Sequence, residues 1–246
     1  MEKPDQFREL FRMQKALNER SRTRNTSEPS RDFHPMPPAK RAIRKRATRS
    51  PRRPLLWLVP ARWRNELSRV LIPQPRIAAR VRQLARQIES DFAGRDLVIV
   101  SLLNGTVLFL ADLIRHFSLP LRLDFIGVSS YAARTTSDEL VFTKELRLDV
   151  RGRDVLLVDD ILDTGRTLKR VLEKLRRLRP RRVKVCVLLE KRARRVEKVR
   201  ADYVGFAIPD LFVVGYGLDF AERYRNLPFV GVLRPQRGGG RNRDVR

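Results

Sequence analysis

Residues 155–168 read Val155-Leu156-Leu157-Val158-Asp159-Asp160-Ile161-Leu162-Asp163-Thr164-Gly165-Arg166-Thr167-Leu168. The apolar run at the start predicts a buried strand, and leucines at 168, 172, 175 and 178 predict an amphipathic helix directly after it. Three carboxylates, a glycine and two threonines lie between the two elements. Ligands of α/β folds bind in such turns, at the carboxyl ends of the strands, so this turn is the first candidate site.

The segments on either side predict the same kind of architecture. Continuous apolar runs that alternate with helical periodicity are typical of a parallel sheet covered on both faces. The predicted elements are a helix over 77–92 closed by Gly94, a strand over 97–103, a helix over 106–117, a strand over 121–129, a hairpin arm near 140–148 and a strand over 183–189. The fold class is therefore a doubly wound α/β domain.

The polar residues of the turn suit a sugar phosphate. Free N–H groups and hydroxyls of residues 164–167, at a positive helix end, form a natural cradle for a phosphate monoester. Asp159 and Asp160, at the strand tip, can accept hydrogen bonds from vicinal hydroxyls or hold Mg²⁺. Two alternatives stay open on these residues alone: an ordinary turn with Asp163 or Thr164 as N-cap, and a receiver domain with paired acids around Mg²⁺.

The whole string resembles the phosphoribosyl-pyrophosphate motif of the type I phosphoribosyltransferases, and further segments make the chain similar to their hypoxanthine-guanine group. The resemblance covers about residues 72–233 and implies a mostly parallel twisted sheet flanked by helices, with a small hood subdomain. The segments that carry it are Leu103-Asn104-Gly105 (pyrophosphate loop), Ser130-Tyr131 (start of a mobile loop), 188–192 (purine-contacting strand end), and 204–210 with 212–219 (base pocket).

The resemblance implies a purine salvage enzyme. It would transfer ribosyl phosphate from phosphoribosyl pyrophosphate to hypoxanthine or guanine, giving IMP or GMP and pyrophosphate, with Mg²⁺ as cofactor. The implied site residues are Asp163 as proton acceptor; Thr164, Gly165, Arg166 and Thr167 at the 5′-phosphate; Asp159 and Asp160 at the ribose; Lys191, Phe212 and Val213 at the purine; Asn104, Gly105 and Arg225 at pyrophosphate; Asp159, Asp160 and Asp219 at the metal; and Ser130 and Tyr131 on the mobile loop.

The chain departs from the family pattern in the pyrophosphate loop and beside the phosphate turn. Asn104 stands where Lys is common, and the family's cis peptide is expected at Leu103-Asn104. Asp159 replaces a common Glu, and Arg166 replaces a common Lys. Taken alone, Lys191 is more consistent with a snorkelling surface lysine, and Phe212 with an ordinary core aromatic, so both roles depend on the resemblance.

The N-terminal region differs in composition from the rest of the chain. Residues 1–70 hold 19 Lys and Arg against 7 Asp and Glu, within a net charge of +26. This composition predicts a basic, mostly disordered extension, followed by a catalytic domain over 71–235 and a flexible basic tail over 236–246. Apolar residues 55–59 and Trp63 form an island that can dock on the domain, and the basic run 40–46 can contact nucleic acid weakly. Removing residues 1–70 is therefore expected to leave activity largely intact.

Composition excludes several classes of protein. No apolar run approaches the roughly 20 residues of a membrane span, and no apolar stretch follows the N-terminal charges as in a secretory signal. The single cysteine, Cys186, rules out an internal disulfide and a cysteine-based zinc site. These features predict a cytoplasmic protein, and the resemblance implies an enzyme that forms a homodimer or homotetramer. The alternative is a regulatory or RNA-binding protein with this fold and no purine turnover.

Overall fold

The computed structural model describes residues 59–130 and 140–234. Several predictions lie outside these ranges: the role of Tyr131, the basic tail over 236–246, and the extension up to residue 58. Within the described ranges, no helix has the length and apolar character needed to cross a bilayer.

The main sheet has six strands. They are β2 (Leu97–Leu103), β3 (Leu121–Ser130), β4 (Leu140–Lys144), β5 (Asp154–Leu162), β6 (Arg182–Lys191) and β7 (Tyr203–Ile208). Their order across the sheet is β4-β3-β2-β5-β6-β7. All neighbouring pairs are parallel except β3 and β4, which form the antiparallel hairpin arm predicted near residue 140. The predicted α/β class is confirmed.

Within residues 59–130 and 140–234, three helices cover the sheet: α1 (Gln74–Asp91), α2 (Val107–Ile114) and α3 (Arg166–Arg177). Along β5, Leu156 and Val158 enter the core cluster that contains α1 and α2. Val155 and Leu157 enter the other cluster, with the apolar stripe of α3. Both faces of the strand are thus buried, which is why it reads as an unbroken apolar run.

A second sheet forms the predicted hood. Its strands are β1 (Leu67–Ile72), β8 (Val213–Val214) and β9 (Val230–Leu233), and they pair in the order β1-β9-β8, all antiparallel. A separate apolar cluster supports it and includes Val59, Trp63 and Leu67. The domain boundary predicted after residue 70 therefore differs from the structure, because these apolar side chains place residues 59–70 in the folded unit.

Asp124 on β3 fastens the hairpin arm to the sheet. Its carboxylate accepts hydrogen bonds from the N–H groups of Arg147 (2.6 Å) and Leu148 (2.9 Å) and from the Lys144 ammonium (3.0 Å). Burial raises the pKa of Asp124, but these bonds and one from the Phe125 N–H outweigh it and lower the pKa to about 2. The carboxylate is therefore a charged structural anchor at neutral pH.

Candidate active site

The candidate site lies where β2 and β5 end side by side. The two strands are parallel, so the loop after β2 and the turn after β5 meet at one edge of the sheet. Between them is a cavity of about 240 Å³. Its lining includes Leu103, Gly105, Thr106, residues 159–165 and Thr167.

The two acids predicted at the ribose are at the tip of β5. Asp159 is buried and accepts hydrogen bonds at Oδ1 from the Thr106 hydroxyl (3.4 Å) and the Asp160 N–H (3.0 Å). Burial, followed by the adjacent charge of Asp160, raises the pKa of Asp159 well above its usual range. Burial also raises the pKa of Asp160. Paired carboxylates with raised pKa values favour a ligand that brings hydroxyl donors or a cation.

The loop after β2 approaches these acids closely. The Leu103-Asn104 peptide is cis, as expected from the resemblance. A Cβ on Gly105 would lie 1.8 Å from Asp160 Oδ2, so any larger residue there would have to displace the Asp160 side chain. On the other side, Gly217 has φ +97°, and a Cβ there would lie 1.9 Å from the Gly105 carbonyl oxygen. The loop is thus held between Asp160 and the backbone at Gly217.

The turn that is predicted to bind the 5′-phosphate, residues 164–167, leads from β5 into α3. Gly165, the residue before α3, has φ +86°, a left-handed conformation that favours glycine. At the start of α3, the Arg166 N–H donates a long hydrogen bond of 3.4 Å to the Thr164 hydroxyl, and Gly165 itself has no side chain that could cap the helix. The Thr164 carbonyl accepts the N–H groups of Val196 and Glu197, both at 3.0 Å, which braces the turn from behind. A left-handed glycine and hydroxyl-bearing residues at a helix start are an arrangement that can bind an anion.

Asp163 and Lys191 lie on separate segments of the sequence. The fold brings them together in the part of the site that is predicted to bind the purine. Lys191 ends β6 and is 5% exposed, with its Nζ 3.5 Å from Asp163 Oδ2 and 3.7 Å from Asp210 Oδ1. Asp163 Oδ1 is buried and has no hydrogen-bond partner among the described residues, although Arg194 Nε lies 3.7 Å away. A snorkelling surface lysine would be exposed, so the structure favours the crevice position over that alternative.

The predicted purine-stacking residues follow β7. Phe212 is 53% exposed, so it is not a core aromatic, and its ring meets Phe220 edge-on at 5.4 Å. Val213 is buried in β8, and the backbone there pairs with β9. An exposed aromatic face beside a fixed backbone is an arrangement that can stack a flat base and contact its edge.

The predicted pyrophosphate residue Arg225 is held by acids. Its Nη1 lies 3.0 Å from Asp219 Oδ1 and donates to the Gly217 carbonyl at 2.9 Å, while Nη2 contacts Glu222 at 3.0 Å. Across the described residues, which include all the aspartates predicted at the metal, no group of three Asp, Glu, His or Cys side chains is arranged to hold a metal ion. Asp219 is therefore not assembled with Asp159 and Asp160 into one ligand set.

Two residues of the site were not predicted. Thr106 lines the cavity and bonds Asp159, and its position directly after the Asn104-Gly105 loop was a signal for it. Arg195 donates from Nε to the Asp163 carbonyl (3.2 Å) and from Nη1 to the Val199 carbonyl (2.6 Å), which fixes the turn from behind. In the sequence it is one of many arginines, and nothing distinguishes it.

Comparison with known proteins identifies the class. The model of the phosphoribosyl transferase domain family matches residues 71–221, so the chain belongs to the phosphoribosyltransferase family. Within that family its relatives are hypoxanthine and hypoxanthine-guanine phosphoribosyltransferases. The chain is 42% identical to the hypoxanthine-guanine phosphoribosyltransferase of Bacillus subtilis, over 70% of this chain and 96% of that protein. It is 46% identical to the hypoxanthine phosphoribosyltransferase of Salmonella typhimurium, over 67% and 94%.

Solved structures agree with this assignment. A hypoxanthine phosphoribosyltransferase from Staphylococcus aureus matches with a TM-score of 0.70 at 39% identity, covering 74% of this chain and all of the other. The chain also matches the bifunctional protein TilS/HprT of Listeria monocytogenes at 42% identity, but spans only 27% of its length. The alternative of a regulatory or RNA-binding protein without turnover is not supported by these relatives.

Proposed function

We propose that the chain transfers the 5-phosphoribosyl group of phosphoribosyl pyrophosphate to a 6-oxopurine, hypoxanthine or guanine, and releases pyrophosphate. The single observation that carries this proposal is the shared crevice of Asp163 and Lys191. A buried ammonium lies 3.5 Å from a carboxylate that has one unbonded oxygen, next to the start of α3 and the paired acids Asp159 and Asp160. The pair of Asp163 and Lys191 suits a base, the helix start suits a phosphate, and the two acids suit a ribose.

At the purine end, Lys191 donates a hydrogen bond to the exocyclic oxygen at C6. Asp163 accepts the proton from the ring nitrogen opposite the one that attacks, because its Oδ1 is the unbonded acceptor in this crevice. Phe212 stacks on the ring, and the backbone of Val213 contacts its edge. Donation by a fixed ammonium favours a 6-oxo group over a 6-amino group, since an amino group has no acceptor to offer in return.

At the sugar end, residues 164–167 hold the 5′-phosphate with backbone N–H groups and hydroxyls at the positive end of α3. Asp159 and Asp160 accept hydrogen bonds from the ribose hydroxyls. The hard carboxylate oxygens and the raised pKa values of this pair fit Mg²⁺. With Mg²⁺ bound, the cation neutralises negative charge that grows on the leaving pyrophosphate.

Mg²⁺ usually keeps several waters and takes only one or two protein carboxylates, with the rest from substrate oxygens. Asp159 and Asp160 would hold one Mg²⁺, and Asp219 would hold a second. Asn104, Gly105 and Arg225 contact the pyrophosphate.

The remaining proposals concern the surroundings of the reaction. Ser130 and Tyr131 begin a loop that closes over the site and excludes water from the reactive ribosyl centre. The enzyme works as a homodimer or homotetramer in the cytoplasm, and the basic N-terminal extension contacts nucleic acid weakly at low salt.

The proposal is tested with purified full-length protein, Mg²⁺ and phosphoribosyl pyrophosphate, by measuring pyrophosphate release with hypoxanthine, guanine, xanthine and adenine in turn. We expect release with hypoxanthine, guanine or both, and none with adenine. Absence of turnover with every 6-oxopurine contradicts the proposal. Removal of Mg²⁺ with a chelator is expected to abolish release, and added Mg²⁺ to restore it.

A further inference from the structure

The segment directly before β1, residues 59–66, precedes the part of the chain that matches the family model, which begins at residue 71. It nevertheless packs on a functional part of the molecule. Its contacts are with the pyrophosphate-side loop, which we define as residues 219–225 and which carries Asp219 and Arg225. The proposed roles of Asp219 and Arg225 do not by themselves require these contacts.

Trp63 makes the apolar part of the contact. It is 8% exposed, and its ring centroid lies 4.8 Å from that of Tyr224 at an angle of 53°. The guanidinium of Arg223 lies 5.2 Å over the Trp63 ring and 5.4 Å over the Tyr224 ring. The two residues that precede Arg225 are therefore packed directly against Trp63.

Glu66 makes the polar part. Its carboxylate accepts a hydrogen bond from the Tyr224 hydroxyl and lies 3.6 Å from Arg223 Nη2. Burial, followed by this hydrogen bond, raises the pKa of Tyr224 to about 12. The hydroxyl therefore remains protonated, and remains a donor to Glu66, across the physiological pH range.

The pyrophosphate-side loop needs such support. Ala221, Glu222 and Tyr224 have φ values of 50°, 57° and 77°, a left-handed region that side-chain-bearing residues rarely adopt. Strained conformations of this kind persist only where surrounding contacts hold them in place. Tyr224 is adjacent to Arg225 in the chain, so a relaxation at Tyr224 turns the Arg225 backbone.

We propose that Glu66 and Trp63 are positioning residues, which hold Tyr224 in its left-handed conformation and thereby orient Arg225 toward pyrophosphate. The inference rests on the proposed role of Arg225 at that group. It assigns to residues 59–66 a part in binding phosphoribosyl pyrophosphate and pyrophosphate, without any direct contact with either.

The test uses the variants Tyr224→Phe and Glu66→Ala in the full chain. Each removes the same hydrogen bond from one side, and Tyr224→Phe keeps the ring packed on Trp63. We expect the KM for phosphoribosyl pyrophosphate, and that for pyrophosphate in the reverse reaction with IMP, to rise about three- to ten-fold. The KM for hypoxanthine is expected to stay within about two-fold, because Asp163 and Lys191, the polar groups proposed to bind the base, lie on other elements, although the loop meets this pocket through the edge contact of Phe220 with Phe212. The double variant is expected to be no worse than the more impaired single variant, because both remove one interaction.

Tyr203→Phe is the matched control. It also removes a hydrogen bond from a buried tyrosine to a carboxylate, since its hydroxyl donates to Asp91 Oδ2 at 2.5 Å, but it lies on β7. Its melting temperature should fall as that of Tyr224→Phe does. Its KM values for phosphoribosyl pyrophosphate, pyrophosphate and hypoxanthine should not differ from one another in how far they change. The inference is overturned if Tyr224→Phe leaves all KM values unchanged, raises them equally, or behaves as Tyr203→Phe does.

Arg225→Ala separates this inference from the function on which it rests. If Arg225→Ala raises the KM for pyrophosphate and Tyr224→Phe does not, Arg225 keeps its proposed role and the positioning by Glu66 is wrong. If Arg225→Ala itself leaves that KM unchanged, the proposed role of Arg225 fails first, and the inference fails with it.

Discussion

The substitution Gly217→Ala tests whether the contact between the two loops at the pyrophosphate end controls activity. The added Cβ would lie 1.9 Å from the Gly105 carbonyl oxygen, and an ordinary contact of these atoms needs about 3.2 Å or more. The loops must therefore separate by more than about 1 Å. A displacement of this size near reacting groups costs about 100-fold in rate. We expect kcat/KM for phosphoribosyl pyrophosphate to fall by about that factor.

The effect of backbone strain at position 217 has to be separated from the effect of the displaced loop. Gly217 has φ +97°, so alanine also costs about 1–2 kcal/mol of folding stability there. Gly152 has φ +68°, and no atom lies within 4 Å of the position that an added Cβ would take, so Gly152→Ala carries a similar strain without a clash. Steady-state kinetics and urea unfolding of both variants distinguish the effects. Equal loss of activity in the two variants, or full activity of Gly217→Ala, would refute the reasoning.

Three other perturbations have defined outcomes. Asp163→Asn should lower kcat by about 100-fold or more, with the KM for phosphoribosyl pyrophosphate nearly unchanged, and equal losses in both would contradict its role at the base. Asp124 has its pKa lowered from 3.8 to about 2, which contributes about 2 kcal/mol to the free energy of unfolding above pH 4, and this contribution is lost as the pH falls through 2. Urea unfolding between pH 5 and 2 should show that Asp124→Asn lacks this part of the decline in stability, and a parallel decline in both proteins would exclude the anchor. Removal of residues 1–70 deletes Trp63 and most of β1, so we expect an unfolded hood by circular dichroism and no activity, and an active truncated enzyme would show that the hood cluster is dispensable.

The main sheet could be predicted because its strands are buried on both faces. The apolar run at 155–158 and the leucine stripe that follows it require a strand and a covering helix, and the structure has both in β5 and α3. The turn between them carries polar residues whose chemistry suits a phosphate, so this turn could also be identified from the sequence as a candidate site. The elements of the hood were less visible, since β8 has only two residues and leaves no periodicity to detect.

The spacing of residues in the sequence could not predict which distant segments contact each other in the fold. Lys191 and Asp163 are on different elements, and only the parallel register of β5 and β6 brings their side chains to 3.5 Å. Trp63 appeared as part of an apolar island in a basic region, where composition predicted disorder. Its burial depends on β1 pairing with a strand near the other end of the domain, and pairings of such long range leave no local signature in the sequence.

The hood has a consequence for biosynthesis. Leu67 of β1 pairs with Leu233 of β9, so this sheet joins the first and last strands of the described chain. A nascent polypeptide can form the central sheet as soon as β7 leaves the ribosome, but it cannot close the hood until β9 emerges. Arrest of translation before β9 should therefore leave a nearly complete Rossmann-like body that turns over no purine.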